Sequence, residues 1–261
     1  MRVVNLKSGS DGNITYIESG FTKILIDMGI PCKDAERRLE MIGVDPKDIS
    51  AIFVSHEHGD HIRGIDVFSS KYNTPVFAHH EVWLSLDDKL KKVAQDNRKM
   101  FDGDKFIYNG LIIYAIKVPH DVPCYAYSVA KDEKKVSILT GLGHTTDRIL
   151  ESVRGSNIVY LEANYDEKML MEGTKYPLAL KRRICGKFGH LSNKESARTI
   201  LYLVKNGTKQ IVLSHISEEN NTPDLAYEYI TNILSQYGVI EGVNVRIDVA
   251  TTRIGHIFKI V

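Results

Sequence analysis

Seven consecutive residues, Ser55-His56-Glu57-His58-Gly59-Asp60-His61, place three imidazoles and a carboxylate within six positions. These are the ligand types that divalent zinc or manganese prefers. The apolar, β-branched run Ile49–Ser55 in front of them reads as a buried strand. In extended chain His56 and His58 then project to the same side, and Gly59 permits a tight turn that brings Asp60 and His61 back toward the same point. Four polar groups crowded at one strand end would each need a partner if they served only packing, so metal ligation is the better reading. Two further histidines end predicted strands, His120 after Leu111–Pro119 and His215 after Gln210–Ser214. Carboxyl ends of strands are where α/β folds gather their sites. There are therefore enough side chains for two divalent metal ions, with His56, His58 and His120 on one and Asp60, His61 and His215 on the other. Glu57 alternates with two ligands and is expected to point away, orienting them from behind.

The elements that must position these groups fall into an order. Short β-prone runs at Arg2–Leu6, Ile14–Glu18 and Thr22–Asp27 are separated by turn residues. A helix is expected at Ala35–Ile42, with Asp34 as N-cap and Gly43 as its stop. Pro75–Ala78 reads as a strand and Glu81–Lys92 as a helix. Tyr125–Ala130 and Val136–Thr140 pair as a hairpin. Helices at Thr146–Val153, Glu167–Met171, Leu178–Cys185, Asn193–Lys205 and Asp224–Tyr237 then alternate with strands at Ile158–Leu161, Gln210–Ser214, Val243–Ala250 and Ile257–Val261. Strands first, then helix–strand alternation, suggest a layered α/β domain with helices over packed sheets.

The chain has 261 residues, with 34 Lys+Arg against 33 Asp+Glu and ten His, so its formal charge is +1. That balance gives no reason to expect strong non-specific attraction to nucleic acid or membrane, and any polyanion must be bound locally. No apolar stretch approaches the roughly 18 residues of a membrane span, and the N-terminus lacks the layout of a signal peptide. Three widely spaced cysteines, Cys32, Cys124 and Cys185, argue against a disulfide framework and for a reducing cytoplasm. No repeat or linker divides the chain, so a single domain over 1–261 is expected. The 13 tyrosines are not spaced as a stacking platform.

His56-Glu57-His58-Gly59-Asp60-His61 resembles the HxHxDH motif of the metallo-β-lactamase-fold hydrolases. Ser8-Gly9-Ser10, Asn13 and Ile24-Leu25-Ile26-Asp27-Met28-Gly29 are also similar to that superfamily. More narrowly, the Glu within HEHGDH, Glu162-Ala163-Asn164-Tyr165-Asp166, Gly189-His190-Leu191-Ser192-Asn193 and Leu213-Ser214-His215-Ile216-Ser217-Glu218-Glu219-Asn220-Asn221 resemble the YycJ (WalJ) group of bacterial exonuclease-like proteins. The resemblance spans essentially the whole chain. It implies a four-layer αββα sandwich, a dinuclear metal centre and hydrolysis of phosphodiester bonds by metal-activated water, with DNA as substrate and an exonuclease as the leading reading. It departs from the family at one place. Where the family carries an Asp that bridges two metals, this chain has Gly141, in Thr140-Gly141-Leu142-Gly143. Two close dications without that carboxylate repel more strongly. The chain is then a variant of impaired activity, keeps one tight metal, or draws on a neighbour such as His144.

Asp60 is placed to ligate and to accept a proton from attacking water. His190 is the candidate for contacting the scissile phosphate or protonating the leaving group. Ser192 and Asn193 open the next helix, where they either bind phosphate or simply cap. Asn164 lines the cleft or caps a turn. Lys181-Arg182-Arg183 with Lys187 either tracks a nucleic-acid backbone or forms a solvated helix face. His79-His80 is a weaker ligand candidate, and His256 reads as structural. Two other functions stay open. One is a thioester, lactone or lactam hydrolase of the same fold. The other, suggested by Gly141, is a non-catalytic protein that binds metal or nucleic acid. An oxygen-reducing di-iron role is disfavoured, since such members carry Glu where this chain has His58.

Overall fold

The computed structural model describes residues 1–255 and 257–260. The role read for His256 lies outside the described residues. The chain divides into two compact units, Met1–Ala115 with Thr252–Val261, and Ile116–Thr251.

The first unit begins with β1 (Arg2–Lys7), β2 (Ile14–Ser19) and β3 (Thr22–Ile26), followed by α1 (Cys32–Met41). Next come β4 (Ala51–Phe53), α2 (Gly59–Ile62), α3 (Ile65–Tyr72), β5 (Val76–His79) and α4 (His80–Leu86). It continues with β6 (Arg98–Phe101), β7 (Lys105–Tyr108) and β8 (Leu111–Val118), and β8 runs on into the second unit. The second unit contains β9 (Cys124–Lys131), β10 (Lys134–Leu139), α5 (Asp147–Val153), β11 (Ile158–Glu162), α6 (Glu167–Glu172) and α7 (Leu178–Ile184). It ends with α8 (Asn193–Lys205), β12 (Gln210–Ser214), α9 (Pro223–Gln236) and β13 (Arg246–Val249), after which β14 (Ile257–Lys259) returns to the first.

Both units contain mixed sheet. In the first the strand order is β14-β1-β2-β3-β4-β5-β6, antiparallel from β14 to β3 and parallel from β3 to β6. In the second, β9 and β10 form the expected hairpin, and β10, β11, β12 and β13 run parallel. Parallel strands end together, and the residues that follow them are brought to one edge. Asp27, Ser55-His56 and His79 share such an edge in the first unit. Gly141, Glu162 and His215 share one in the second.

The core is built from the near-continuous apolar runs that parallel strands require. Ile24, Leu25, Ile52 and Phe53 are fully buried in the first unit, and Val159, Leu161, Ile211 and Leu213 in the second. Among the described residues no helix is long and apolar enough to cross a membrane.

Several boundaries differ from expectation for identifiable reasons. Helix α1 starts before Asp34, with Pro31 at its N-cap, because the Asp34 amide already bonds the Pro31 carbonyl. Asp34 instead pairs with Arg37 in the first turn. Helix α4 stops at Leu86 rather than Lys92, since the amides of Lys92 and Val93 both donate to the Asp66 carboxylate. The tight turn expected at Gly59 is the first turn of α2. Helix α3 and strands β6 and β7 were not legible. Helix α3 buries only Ile65, Phe68 and Ser69, and the two strands are four residues long with no fully buried position.

Candidate metal centre

In the first unit the histidine cluster is organised by Asp27. It follows β3 with a left-handed φ of 59° and is almost fully buried. Its Oδ1 accepts the Ser55 amide at 2.8 Å, and its Oδ2 accepts the Ser55 hydroxyl at 2.8 Å and His61 Nδ1 at 2.7 Å. The Ser55 hydroxyl also lies 2.9 Å from His56 Nδ1. The His56 ring centre lies 4.7 Å from that of His58 and 4.1 Å from that of His61. Asp60 Oδ2 is 3.4 Å from His61 Nε2 and 3.3 Å from the Asn13 amide nitrogen. Asn13 is held in turn by the Gly9 carbonyl at 2.9 Å. Burial opposes charge on His61, yet Asp27 and Asp60 outweigh it and push its pKa up to about 10. Such surroundings favour positive charge.

This arrangement depends on a close backbone approach. Gly29 donates its amide to the Asn13 carbonyl, while Asn13 and Met28 donate theirs to the carbonyls of Asp60 and His61. A Cβ at Gly29 would lie 1.5 Å from the Asp60 carbonyl oxygen. Glu57 does not orient the histidines, because its carboxylate is paired with Lys89 at 3.0 Å.

In the second unit the organising group is Glu162, at the end of β11 and fully buried. Its Oε1 accepts His190 Nδ1 and the Leu191 amide, each at 2.9 Å. Its Oε2 accepts His215 Nδ1 at 2.9 Å and the Gly141 amide at 2.6 Å. Burial alone would raise its pKa, but the two imidazoles more than offset this and hold the carboxyl well below the usual range. The His190 ring lies 5.4 Å from His120 and 5.1 Å from His215, centre to centre. His120 Nδ1 is 3.2 Å from the Gly189 carbonyl, and its Nε2 lies 3.2 Å from Asp121 Oδ1.

A divalent metal fits this donor chemistry. His61 and His215 each direct Nδ1 at a carboxylate and His120 directs its own at a carbonyl, so each ring in its neutral form keeps Nε2 as an acceptor, and at His61 a metal ion would replace the second proton that the carboxylates favour. Glu162 was not singled out from sequence. The signal was present in Glu162-Ala163-Asn164-Tyr165-Asp166, a carboxylate closing an otherwise apolar strand.

Other sequence candidates have clear positions. Asn164 is buried, and its Nδ2 donates to the His215 carbonyl at 2.8 Å. Ser192 is the N-cap of α8, accepting the Glu195 amide, and Asn193 exchanges amide contacts with Asn221. His144 Nδ1 lies 3.0 Å from the Lys187 carbonyl. His79 accepts the Glu81 amide at the start of α4, and His80 pairs with Asp102. The basic run is not uniform: Lys181 is buried, with its ammonium on the Met171 carbonyl, and Arg183 pairs with Asp121.

Gly141 has a φ of 69°, a region that Gly adopts freely and Asp or Asn tolerate better than most. Gly141→Asp therefore tests the departure directly. Its expected outcome is a higher metal content, read by elemental analysis, at a stability cost of about 1–2 kcal/mol.

The comparisons with known proteins agree with this geometry. Residues 22–216 match the model of the beta-lactamase superfamily domain. The chain is 35% identical to exodeoxyribonuclease WalJ of Streptococcus pneumoniae, over 93% of this chain and 91% of that one. It is 32% identical to exodeoxyribonuclease YycJ of Bacillus anthracis, over 89% of each. The metallo-β-lactamase-fold protein YhfI of Bacillus subtilis superposes with a TM-score of 0.73 at 16% identity, covering 98% of both chains. Zinc-bound PqqB of Methylobacterium extorquens gives 0.72 at 14% identity over the full length of both. Fold and sequence thus agree that the chain belongs to the metallo-β-lactamase-fold hydrolases, in the group that contains YycJ and WalJ.

Proposed function

We propose that residues 1–261 act as one cytoplasmic hydrolase domain that cleaves phosphodiester bonds in DNA as an exonuclease. Two divalent metal ions, zinc or manganese, would be held by His56, His58 and His120 and by Asp60, His61 and His215. The names of the curated relatives support DNA as the substrate, and the three cysteines, all free, suit a reducing compartment.

The observation that carries the reading is Glu162, whose two oxygens orient a ligand histidine, His215, and a further histidine, His190. When bound, the metals supply Lewis-acid polarisation of the phosphoryl oxygen and activation of water. The protein's own groups do the rest. Asp60 takes up the proton of the attacking water at its carboxylate. His190 acts with both ring nitrogens protonated: Nδ1–H is fixed on Glu162, and Nε2–H contacts the phosphate and passes its proton to the leaving oxygen. Asn164 and the Ser192-Asn193 start of α8 support that segment, Asn164 by holding the backbone of His215.

The test is digestion of end-labelled single- and double-stranded DNA and of RNA by the manganese- or zinc-loaded chain, with a chelator control. Mononucleotides released from one DNA end are expected. Hydrolysis of a thioester or lactone without cleavage of any strand would overturn the reading. So would tight DNA binding without cleavage, the behaviour of a non-catalytic relative. His58→Ala is expected to lose metal on gel filtration and to abolish cleavage. Wild-type metal content in that variant would remove His58 from the ligand set.

A further inference from the structure

A cavity of ≈ 520 Å³ opens beside His120 within the second unit, lined by Lys117, Pro119, Val122, Pro123, Arg148 and Phe188 among others. That volume lies within the range of about 300–1,000 Å³ typical of small-ligand clefts. Phe188 is 60% exposed. An isolated exposed apolar residue needs no explanation, but this one is held in place. On one side of it the Lys187 carbonyl lies 3.0 Å from His144 Nδ1, and on the other the Gly189 carbonyl lies 3.2 Å from His120 Nδ1. The same segment leads directly into His190. The exposed ring is therefore displayed on a braced backbone, two residues from the proposed proton donor.

The charges around the ring are complementary to a polyanion. Lys117 and Arg148 are exposed cations of the rim. The carboxylate in the wall, Asp121, is paired with Arg183 and lies against His120 Nε2, so its negative charge is compensated. An aromatic face flanked by cations is the combination that binds single-stranded nucleic acid: the ring stacks on a base and the cations follow the backbone. A base within a duplex is already stacked and offers no free face.

We propose that this cavity is a nucleotide subsite, in which Phe188 stacks on an unpaired base next to the scissile phosphate while Arg148 and Lys117 contact the adjoining backbone. The proposal rests on the phosphodiesterase reading above and deepens it: Phe188 makes the chain select an unstacked, base-bearing strand.

The test measures binding of the metal-loaded full chain to fluorescent single strands with uncleavable phosphorothioate linkages, by anisotropy. One strand carries bases, and the other is abasic with the same length and charge. The wild type is expected to bind the base-bearing strand about tenfold more tightly. Phe188→Ala is expected to lose that preference and Phe188→Trp to keep it. Arg148→Ala should weaken both strands alike and lower the salt dependence of binding. If Phe188→Ala binds both strands with wild-type affinities, the subsite is overturned. A protein-binding role for Phe188 would give that result. Cleavage is read separately. A Phe188-dependent base preference without cleavage keeps the subsite and removes the hydrolytic reading, and the converse result does the opposite.

Discussion

Glu162→Gln is expected to lower hydrolysis about 100-fold, although the substitution changes neither shape nor volume. Four donors converge on the carboxylate, and each oxygen accepts one backbone amide and one imidazole. A glutamine side chain has one acceptor oxygen and one donating nitrogen. Whichever way the amide is turned, its NH2 meets a backbone N–H, of Gly141 or of Leu191. An imidazole can answer by changing tautomer, but a backbone amide cannot. One buried donor is left without its acceptor, at a cost of about 1–3 kcal/mol. On that same side, His215 loses the acceptor form of Nε2 that a ligand needs, or His190 loses its orientation. Steady-state kinetics and elemental analysis of the purified variant check this. A rate within threefold of wild type, with unchanged metal content, would show that Glu162 does not govern the two histidines.

Gly29→Ala is expected to be severely damaging although it adds a single methyl group. Its Cβ would sit 1.5 Å from the Asp60 carbonyl oxygen, 2.1 Å from the Asp60 carbonyl carbon and 2.8 Å from the His61 amide nitrogen. All three are backbone atoms, so no side-chain rotation relieves the clash. The peptide carrying Asp60 and His61 must move away, although the amides of Asn13 and Met28 tie it in place. Overpacking of this severity costs at least about 3 kcal/mol, and displacing catalytic groups by even roughly 1 Å costs about a hundredfold in rate. A fall in melting temperature with loss of bound metal is the expected result. Wild-type values for both would mean that the loop is not seated against Gly29 in solution.

The histidines were visible in the sequence because residues of the type that can ligate a metal stand out by their spacing. What holds them was not. Asp27 and Glu162 are single carboxylates closing apolar strands, and nothing local shows that one will face Ser55 and His61, or the other His190 and His215. Those contacts join residues 28 to 53 positions apart and exist only once parallel strands end at a common edge. Elements with strong local signals were legible to the residue: α8 and β12 have the limits their patterns give. Those whose limits depend on a distant partner were not, as Asp66 shows by halting the segment after α4. The basic run illustrates a further limit. Charge type is written in the sequence, but that Lys181 is buried on the Met171 carbonyl, whereas Arg183 reaches Asp121, follows only from the packing of α7.

The fixed tautomers have a thermodynamic consequence for metal uptake. In a flexible site, each ligand ring gives up rotamer entropy at the moment the ion arrives, and part of the binding free energy is consumed in ordering. For three of the proposed ligand rings that ordering takes place at folding, because Ser55 and Asp27 seat His56 and His61 while Glu162 seats His215. The intrinsic affinity for the ion is then expressed almost in full. A chain that lacks a carboxylate at position 141 gains most from this, since ligand rings set in advance offset part of the attraction that a bridging charge would have provided.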